Sequence, residues 1–274
     1  MNKKPKCPIC SCSGKLFATT GYFKVYKCEN CGHGFLFPGF YSENCLLKFY
    51  DKNYSKDYNP KLKTKNYQSR QIQYKLDATF LKPFIQSKII SVLDFGCSNG
   101  EFLKTLPSYW TKYGYERSGY FKQNKKIYST IEEARKNKYD IITLRGVIEH
   151  LFNFDSLFSL IKTSLKKNGI VYICATPDFN SPCAVVYKKQ WNQLILPFHY
   201  HQFTLASLTI LFAQHGLGLK AIHYPYMETP YSSFQKDSKK FINNITGKQI
   251  DTNHAYPGNM MSVIFEKIKY DAKK

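Results

Sequence analysis

The chain has 274 residues, of which 43% are hydrophobic, and its formal net charge is +21 at pH 7. This length suits one α/β domain with a small appendage and is too short for two large domains. No apolar run approaches the roughly 18 to 20 residues that span a bilayer, so we expect no membrane insertion.

The compartment is predicted from the N-terminus and the cysteines. The opening MNKKPKCPIC is basic and is followed by no apolar segment, so it does not predict a secretory signal. Four of the nine cysteines form two C-x-x-C pairs and the others are scattered through apolar segments. That pattern is typical of metal binding in a reducing compartment, so we expect a cytoplasmic protein without structural disulfides.

The positive charge has two interpretations. A clustered basic surface would indicate nucleic-acid binding, because it releases counterions from phosphates. The lysines of this chain are instead spread along its length. We therefore favour solvated lysine faces over a nucleic-acid surface.

Residues 1–40 form the first predicted unit, a zinc-ribbon-like module. Its two C-x-x-C pairs are separated by 17 residues, which suits a tetrahedral structural zinc site with each pair on a tight turn. A segment this small has too little core to fold without such a staple. Cys12 and His33 are alternatives for one ligand. The predicted zinc ligands are Cys7, Cys10, Cys28 and Cys31.

Residues 41–70 are polar with weak periodicity and are predicted to be a linker or cap, and residues 71–274 to be one α/β domain. Apolar runs and amphipathic helices alternate in that domain, which indicates a parallel sheet with a closing antiparallel edge. The predicted strands span 89–95, 113–116, 126–129, 139–144, 169–175, 219–225 and 260–268. Helices are predicted at 71–87, from 101, from about 119, and at 154–166, 205–214 and about 232–243.

The segment from Val92 to Leu103 carries the most specific pattern, an apolar strand that ends in D-x-G-x-x-x-G and opens into a helix. Gly96 and Gly100 allow the backbone to turn tightly, and the start of the helix presents N–H groups to a ligand carboxylate. Glu116 ends the next predicted strand, where a carboxylate can accept hydrogen bonds from both ribose hydroxyls. The pattern predicts a nucleoside site without the G-x-G-x-x-G of nicotinamide-binding proteins.

With Asn99 between the two glycines, this segment resembles motif I of class I S-adenosylmethionine-dependent methyltransferases. Residues 138–151 are similar to the fourth-strand segment of that family, and residues 258–267 to its terminal strand. The resemblance implies a Rossmann-like seven-stranded sheet, with 131–132 near the adenine and 144–146 near the methionine of the cofactor. The cofactor-binding residues it implies are Asp94, Gly96, Cys97, Asn99, Gly100, Glu116, Ile131, Glu132, Leu144, Arg145 and Gly146.

Residues 191–204 resemble the histidine-x-histidine-aromatic loop of methyltransferases that act on sugars and other small metabolites. In sugar C-methylating relatives a histidine of this loop, preceded by glutamate, is the base. His199 matches that histidine, whereas Phe198 stands in the place of the glutamate. His199 is therefore the first candidate for a catalytic base and His201 the second. The alternative is that both histidines only hydrogen-bond and orient the loop.

Glu149 and His150 raise a second possibility. Some quinone-pathway and small-RNA methyltransferases bind a divalent metal with a glutamate followed three residues later by Glu-His, sometimes with a distal histidine. Gly146 occupies the position of the first glutamate here. We therefore favour a structural pair at the start of a helix over a catalytic metal.

The cysteine module, followed by residues 32–38, is similar to the N-terminal module of sugar-modifying methyltransferases. This implies methyl transfer to a small-molecule acceptor, such as a sugar or another precursor of a surface polysaccharide or secondary metabolite, with oxygen favoured as the methylated atom. One alternative is an RNA methyltransferase, because some ribosomal RNA enzymes also carry a zinc module. Another is an inactive binding protein of this fold, against which the intact motif I argues.

Overall fold

The computed structural model describes residues 5–39, 42–45, 48, 65–85, 87–118, 126–248 and 250–268. Its strands are β1 (Gly14–Thr20), β2 (Phe23–Cys28), β3 (Gly34–Leu36), β4 (Ser91–Phe95), β5 (Thr111–Tyr115), β6 (Ile127–Tyr128), β7 (Tyr139–Arg145), β8 (Leu165–Pro177), β9 (His201–Gln202), β10 (Leu217–His223) and β11 (Met260–Lys267). The helices are α1 (Lys65–Leu81), α2 (Glu101–Thr105), α3 (Ile131–Arg135), α4 (Asp155–Ser164), α5 (Pro182–Tyr187), α6 (Leu205–Ala213) and α7 (Phe234–Ile245), with single 3-10 turns at Lys82–Phe84, Ile148–His150 and Lys188–Gln190. Within these ranges no helix is long and apolar enough to cross a membrane.

Seven strands form the large sheet in the order β10-β11-β8-β7-β4-β5-β6. Strands β4 to β8 are parallel, and β11 runs antiparallel to both of its neighbours, β8 and β10. The strand order reverses between β4 and β7, which is where open α/β sheets bind ligands. The antiparallel strand β11 therefore lies inside the sheet. The edge is occupied by β10, which runs in the same direction as β4 to β8, so the expectation of an antiparallel edge is wrong.

The central strands are apolar on both faces because helices cover both faces. Leu93 and Ile142 pack in one cluster with residues of α4 and α6, whereas Val92 and Ile141 pack in a second cluster with residues of α1 and α2. All four side chains are almost completely buried. The alternation of side chains along each strand thus divides one continuous apolar run between two helical layers.

A second, antiparallel sheet has the order β1-β2-β3-β9. Its first three strands come from the cysteine module, but β9 comes from the loop that carries His201, which pairs with Phe35. The two segments approach closely at Gly34, where a Cβ atom would lie 2.6 Å from Phe179 and 2.7 Å from the Cβ of Gln202. Only glycine fits there, so the module and the loop share one sheet.

The helix predicted from residue 71 begins at Lys65, inside the segment predicted as a linker or cap, and ends at Leu81. Residues 49–64 of that segment, and the start of the helix predicted from about 119, lie outside the described residues. Helices α3 and α5 were not predicted. Both carried a sequence signal: Thr130 and Glu133 form a capping box at α3, and Ser181 caps α5.

Replacing Phe212 by Ala tests the packing of α6 on the sheet. Phe212 is fully buried, and its ring stacks on Phe265 at a centroid distance of 4.1 Å. We expect the free energy of unfolding to fall by about 3 to 5 kcal/mol in chemical denaturation, because the change removes buried contacts and leaves a cavity. Phe234→Ala is the matched control, since Phe234 is 60% exposed. Equal losses in the two variants would contradict this packing.

Candidate active site and cysteine cluster

The loop between β4 and α2 forms a tight turn at the carboxyl edge of the sheet. Gly96 and Gly100 have φ angles of +76° and +78°, which residues with a Cβ atom rarely adopt. A Cβ at Gly96 would also lie 2.7 Å from Val147. The N–H groups of Gly96 and Cys97 donate to the carbonyl of Tyr115 at 2.8 and 3.0 Å, which holds the turn against the end of β5.

Glu116 lies directly after β5, beside this turn. One carboxylate oxygen accepts a hydrogen bond from the Ser98 N–H at 2.9 Å, and the other accepts from the Ser118 N–H at 2.9 Å. Each oxygen has a second lone pair, so the carboxylate can still accept hydrogen bonds from a diol. The structure therefore brings the acid and the glycine turn together, as a nucleoside site requires.

Asp94 ties two strands together beneath the turn. Its carboxyl is 3% exposed and accepts a hydrogen bond from the Thr143 hydroxyl at 2.6 Å. Burial raises the pKa of Asp94 to about 7, because the charged form loses hydration. This carboxyl therefore supports the turn from the side of the core, whereas the half-buried Glu116 carboxylate flanks it.

Cys97 and Asn99 are the other two predicted residues of this loop. The Cys97 side chain is buried, and a Cβ at Gly114 would lie 2.3 Å from its sulfur, so the thiol packs on β5. The Asn99 side-chain oxygen accepts a hydrogen bond from the N–H of Glu101 at 3.2 Å, where α2 begins. Asn99 thus satisfies one of the N–H groups that the sequence assigned to a ligand.

The predicted adenine and methionine segments lie at the carboxyl ends of β6 and β7. Ile131 and Glu132 form the first turn of α3 directly after β6. Leu144 is fully buried in β7, so only its backbone can meet a ligand. Gly146 has a φ of +59° and turns the chain out of β7.

Arg145 points toward α1. Its Nε donates to the carboxylate of Asp77 at 2.8 Å, and its guanidinium lies 4.3 Å from the ring centroid of Tyr74. This pair anchors α1 to the end of β7, next to the predicted methionine segment. The sequence contained no signal for it, because Arg145 and Asp77 lie 68 residues apart.

Two segments that the sequence treated separately meet next to β7. Glu149 and His150 lie in the turn after β7, and His199 lies in the loop before β9. One potential ligand atom from each residue lies within 4.8 Å of the other two. The His150 and His199 rings pack edge to face at a centroid distance of 4.7 Å.

Burial controls the protonation of these groups. It raises the pKa of Glu149 to about 7 and lowers the pKa of His150 to about 4. Burial, together with the neighbouring His150, lowers the pKa of His199 to about 3. Both imidazoles are therefore neutral at pH 7, which is the form that binds a metal, and each is a weaker base than a free histidine.

His201 lies in β9, and its environment is that of a structural residue. Its Nδ1 lies 3.0 Å from Nε2 of His33, and its ring packs on Phe154 at a centroid distance of 4.7 Å. His33 is fully buried, and burial lowers the pKa of His201 to about 4. The His33–His201 hydrogen bond joins the cysteine module to the loop of residues 191–204.

The four cysteines of the C-x-x-C pairs converge into one cluster. Cys10 Sγ lies 3.4 Å from Cys28 Sγ and 3.5 Å from Cys31 Sγ, and Cys7 Sγ lies 3.7 Å from Cys31 Sγ. Four thiolates at 2.3 Å around zinc would be about 3.8 Å apart. The Ile9 N–H also points to Cys7 Sγ at 3.4 Å. The cluster therefore fits a tetrahedral metal ion.

The strand order and the glycine turn define a class I, Rossmann-like methyltransferase fold. A family model described as a methyltransferase domain matches residues 65–222, more than half of the chain. The chain therefore belongs to this methyltransferase family, and we conclude that it is an S-adenosylmethionine-dependent methyltransferase. No curated protein matches the chain.

Solved structures show the same fold. The chain is similar to 1,6-didemethyltoxoflavin-N1-methyltransferase from Burkholderia thailandensis, with bound 1,6-didemethyltoxoflavin and S-adenosylhomocysteine, at 10% identity and a TM-score of 0.53 over 93% of this chain and 100% of that chain. It is also similar to magnesium protoporphyrin IX methyltransferase from Synechocystis, with bound SAH, at 12% identity and a TM-score of 0.52 over 82% of this chain and 100% of that chain. At these identities the likeness concerns the fold alone.

Replacing Glu116 by Ala tests the cofactor site. We expect binding of S-adenosylmethionine to weaken by about 1 to 3 kcal/mol in calorimetry, because charged hydrogen bonds to the ribose are lost. Glu266→Ala is the control, since Glu266 pairs with Lys220 on β10, away from the turn. Unchanged affinity in a folded Glu116→Ala protein would show that this carboxylate does not bind the cofactor.

Proposed function

We propose that the enzyme transfers the methyl group of S-adenosylmethionine to a small-molecule acceptor, a sugar or a related precursor of a surface polysaccharide or secondary metabolite, with a hydroxyl oxygen as the nucleophile. The observation that carries this proposal is the position of His199. Its loop docks on the cysteine module, and its ring lies against the turn that follows β7. The loop thus faces the carboxyl edge of the sheet, where the cofactor turn lies.

The reaction is an in-line displacement at the sulfonium carbon, so the protein must align the two reactants and accept the proton of the hydroxyl. His199 is the proposed proton acceptor. Its Nδ1 lies 2.7 Å from the carbonyl of Gln193, which can only accept, so Nδ1 carries the hydrogen and Nε2 carries the lone pair. The proposed role of His201 is to position the loop through His33.

The small-molecule class has further support. The two similar structures are of enzymes named for a porphyrin and for a toxoflavin precursor. Two basic residues of the module are engaged with protein groups: Lys27 donates to the side chain of Asn180 at 2.8 Å, and Lys15 pairs with Glu29. An RNA acceptor is an outcome of the acceptor assay below.

We further propose that Cys7, Cys10, Cys28 and Cys31 hold a structural Zn²⁺. The ion would crosslink the turn before β1 to the turn after β2 and so stabilise the module, whose third strand, β3, pairs with β9. Zinc therefore contributes to the shape of the acceptor side without taking part in methyl transfer.

Zinc content tests this assignment. Metal analysis by mass spectrometry is expected to give at least one Zn²⁺ per chain, and Cys28→Ser should hold one Zn²⁺ fewer than wild type and have a lower melting temperature. Cys12→Ser is the matched control, because Cys12 lies in the same module but outside the four-cysteine cluster. A wild-type zinc content in Cys28→Ser, or a lower zinc content in Cys12→Ser, would contradict the proposed ligand set.

His199→Ala tests the acceptor side. Turnover should fall by about 100-fold or more, because a positioned proton acceptor contributes at least that much, while the affinity for S-adenosylmethionine stays within about twofold. The assay follows transfer of a labelled methyl group to nucleotide-activated sugars, with RNA as the competing acceptor class. His215→Ala is the control, since His215 stacks on Phe158 away from this loop.

Two results would overturn the proposal. Wild-type turnover in His199→Ala would remove His199 from the reaction. Salt-sensitive methylation of RNA, with no sugar methylated, would favour the RNA alternative over a small-molecule acceptor.

A further inference from the structure

Three polar side chains in and next to the loop before β9 form a largely buried cluster. They are Glu149, His150 and His199, of which Glu149 is 2% exposed and His199 is 6% exposed. They come from two segments that meet only in the folded chain, and their ligand atoms converge within 4.8 Å. Carboxylate and imidazole groups are ligand types that divalent transition metals use.

The hydrogen bonds of the two histidines orient their lone pairs. His150 Nδ1 lies 2.8 Å from the carbonyl of Phe198, and His199 Nδ1 lies 2.7 Å from the carbonyl of Gln193. Because a carbonyl only accepts, each Nδ1 carries the hydrogen and each Nε2 carries the lone pair. Metal-binding histidines are held in the same way, by a carbonyl or carboxylate on the other ring nitrogen.

The Glu149 carboxylate lacks a cation. One oxygen accepts a hydrogen bond from the Thr176 hydroxyl at 3.1 Å, and Glu149 takes part in none of the ion pairs formed by the described residues. The nearest basic group acting on it, Arg145, is already paired with Asp77. A buried carboxylate without a compensating charge is costly, and a bound cation would remove that cost.

A position next to the cluster is open. Gly146 lies three residues before Glu149, and a Cβ added there would meet only the carbonyl of Ala175 at 3.6 Å and the Glu149 carboxylate at 3.9 Å. Apart from Glu149 itself and the two chain neighbours of Gly146, no side chain of the described residues comes within 4 Å of that Cβ position. Catalytic metal sites have this composition, with three protein ligands and one position left for water or substrate.

We propose that Glu149, His150 and His199 bind a divalent transition-metal ion, such as Mn²⁺ or Zn²⁺, through one carboxylate and two imidazole ligands. The sequence favoured a structural Glu149–His150 pair, because Gly146 occupies the position of the first metal-binding glutamate. This ion would be separate from the Zn²⁺ of the cysteine cluster, which offers thiolates alone.

The role of the ion rests on the proposed function, since it requires an acceptor hydroxyl at the open position. A cation there lowers the pKa of the hydroxyl. The hydroxyl proton passes to water, the O–CH₃ bond forms, and the S–CH₃ bond breaks to leave neutral S-adenosylhomocysteine. In the metal-bound enzyme His199 would be a ligand and not the proton acceptor, so the ion would replace the activation of the hydroxyl that is proposed for His199 alone.

Binding of Mn²⁺ tests the site in the full-length, zinc-loaded protein without any acceptor. Mn²⁺ is suitable because it prefers oxygen and nitrogen ligands to thiolates and is counted by electron paramagnetic resonance. We expect one Mn²⁺ per wild-type chain, and at least about tenfold weaker binding in Glu149→Gln and His199→Asn. His223→Gln and Glu228→Gln are matched controls, because these residues form an exposed His–Glu pair elsewhere.

Each variant is first shown to bind S-adenosylmethionine with wild-type affinity, so that lost Mn²⁺ binding does not reflect unfolding. If wild-type protein binds neither Mn²⁺ nor a second Zn²⁺, or if the variants bind Mn²⁺ as wild type does, the metal site is refuted. Metal binding without sugar methylation would refute the proposed function and leave the site standing. Sugar methylation at the full rate after removal of all metal except the cysteine-bound Zn²⁺ would refute the role of the ion.

Discussion

The position of the loop that carries His199 depends on the pairing of β3 with β9, two strands that begin 167 residues apart. Gly34 brings the two backbones close enough to pair, and Thr204 adds a hydrogen bond of 2.8 Å from its hydroxyl to the carbonyl of Cys31. The cysteine module is therefore held directly against the loop that carries His199. Because the His199 loop leads directly into β9, the same four-stranded sheet connects the cysteine module to this loop.

The chemistry of the site depends equally on burial. Asp94, Glu149 and His199 are almost inaccessible to water, so their neutral forms are favoured and each is held by a specific protein group. Asp94 accepts a hydrogen bond from the Thr143 hydroxyl and Glu149 accepts one from the Thr176 hydroxyl, whereas His199 donates one to the carbonyl of Gln193. Polar groups that water cannot reach and that are hydrogen-bonded keep fixed positions, which suits a reaction that depends on alignment.

Much of the catalytic sheet could be predicted from the chain alone, because its central strands are buried on both faces and appear as continuous apolar runs. The glycine turn and Glu116 were predictable for a local reason: their geometry depends on the end of one strand and the start of the next element. Short elements were harder. Helices α3 and α5 have only five and six residues, too few for a periodic pattern, although their N-terminal caps were visible in the sequence.

By itself, the sequence determined the apolar strands, the glycines that allow positive φ angles in the cofactor turn, and the spacing of the two C-x-x-C pairs. Each of these features depends on residues that are close together in the chain. Tertiary structure decided which distant groups share a site. It placed β11 between β8 and β10, paired Arg145 with Asp77, and brought His199 against His150. No local pattern encodes such contacts, because they depend on how whole strands and loops pack against one another.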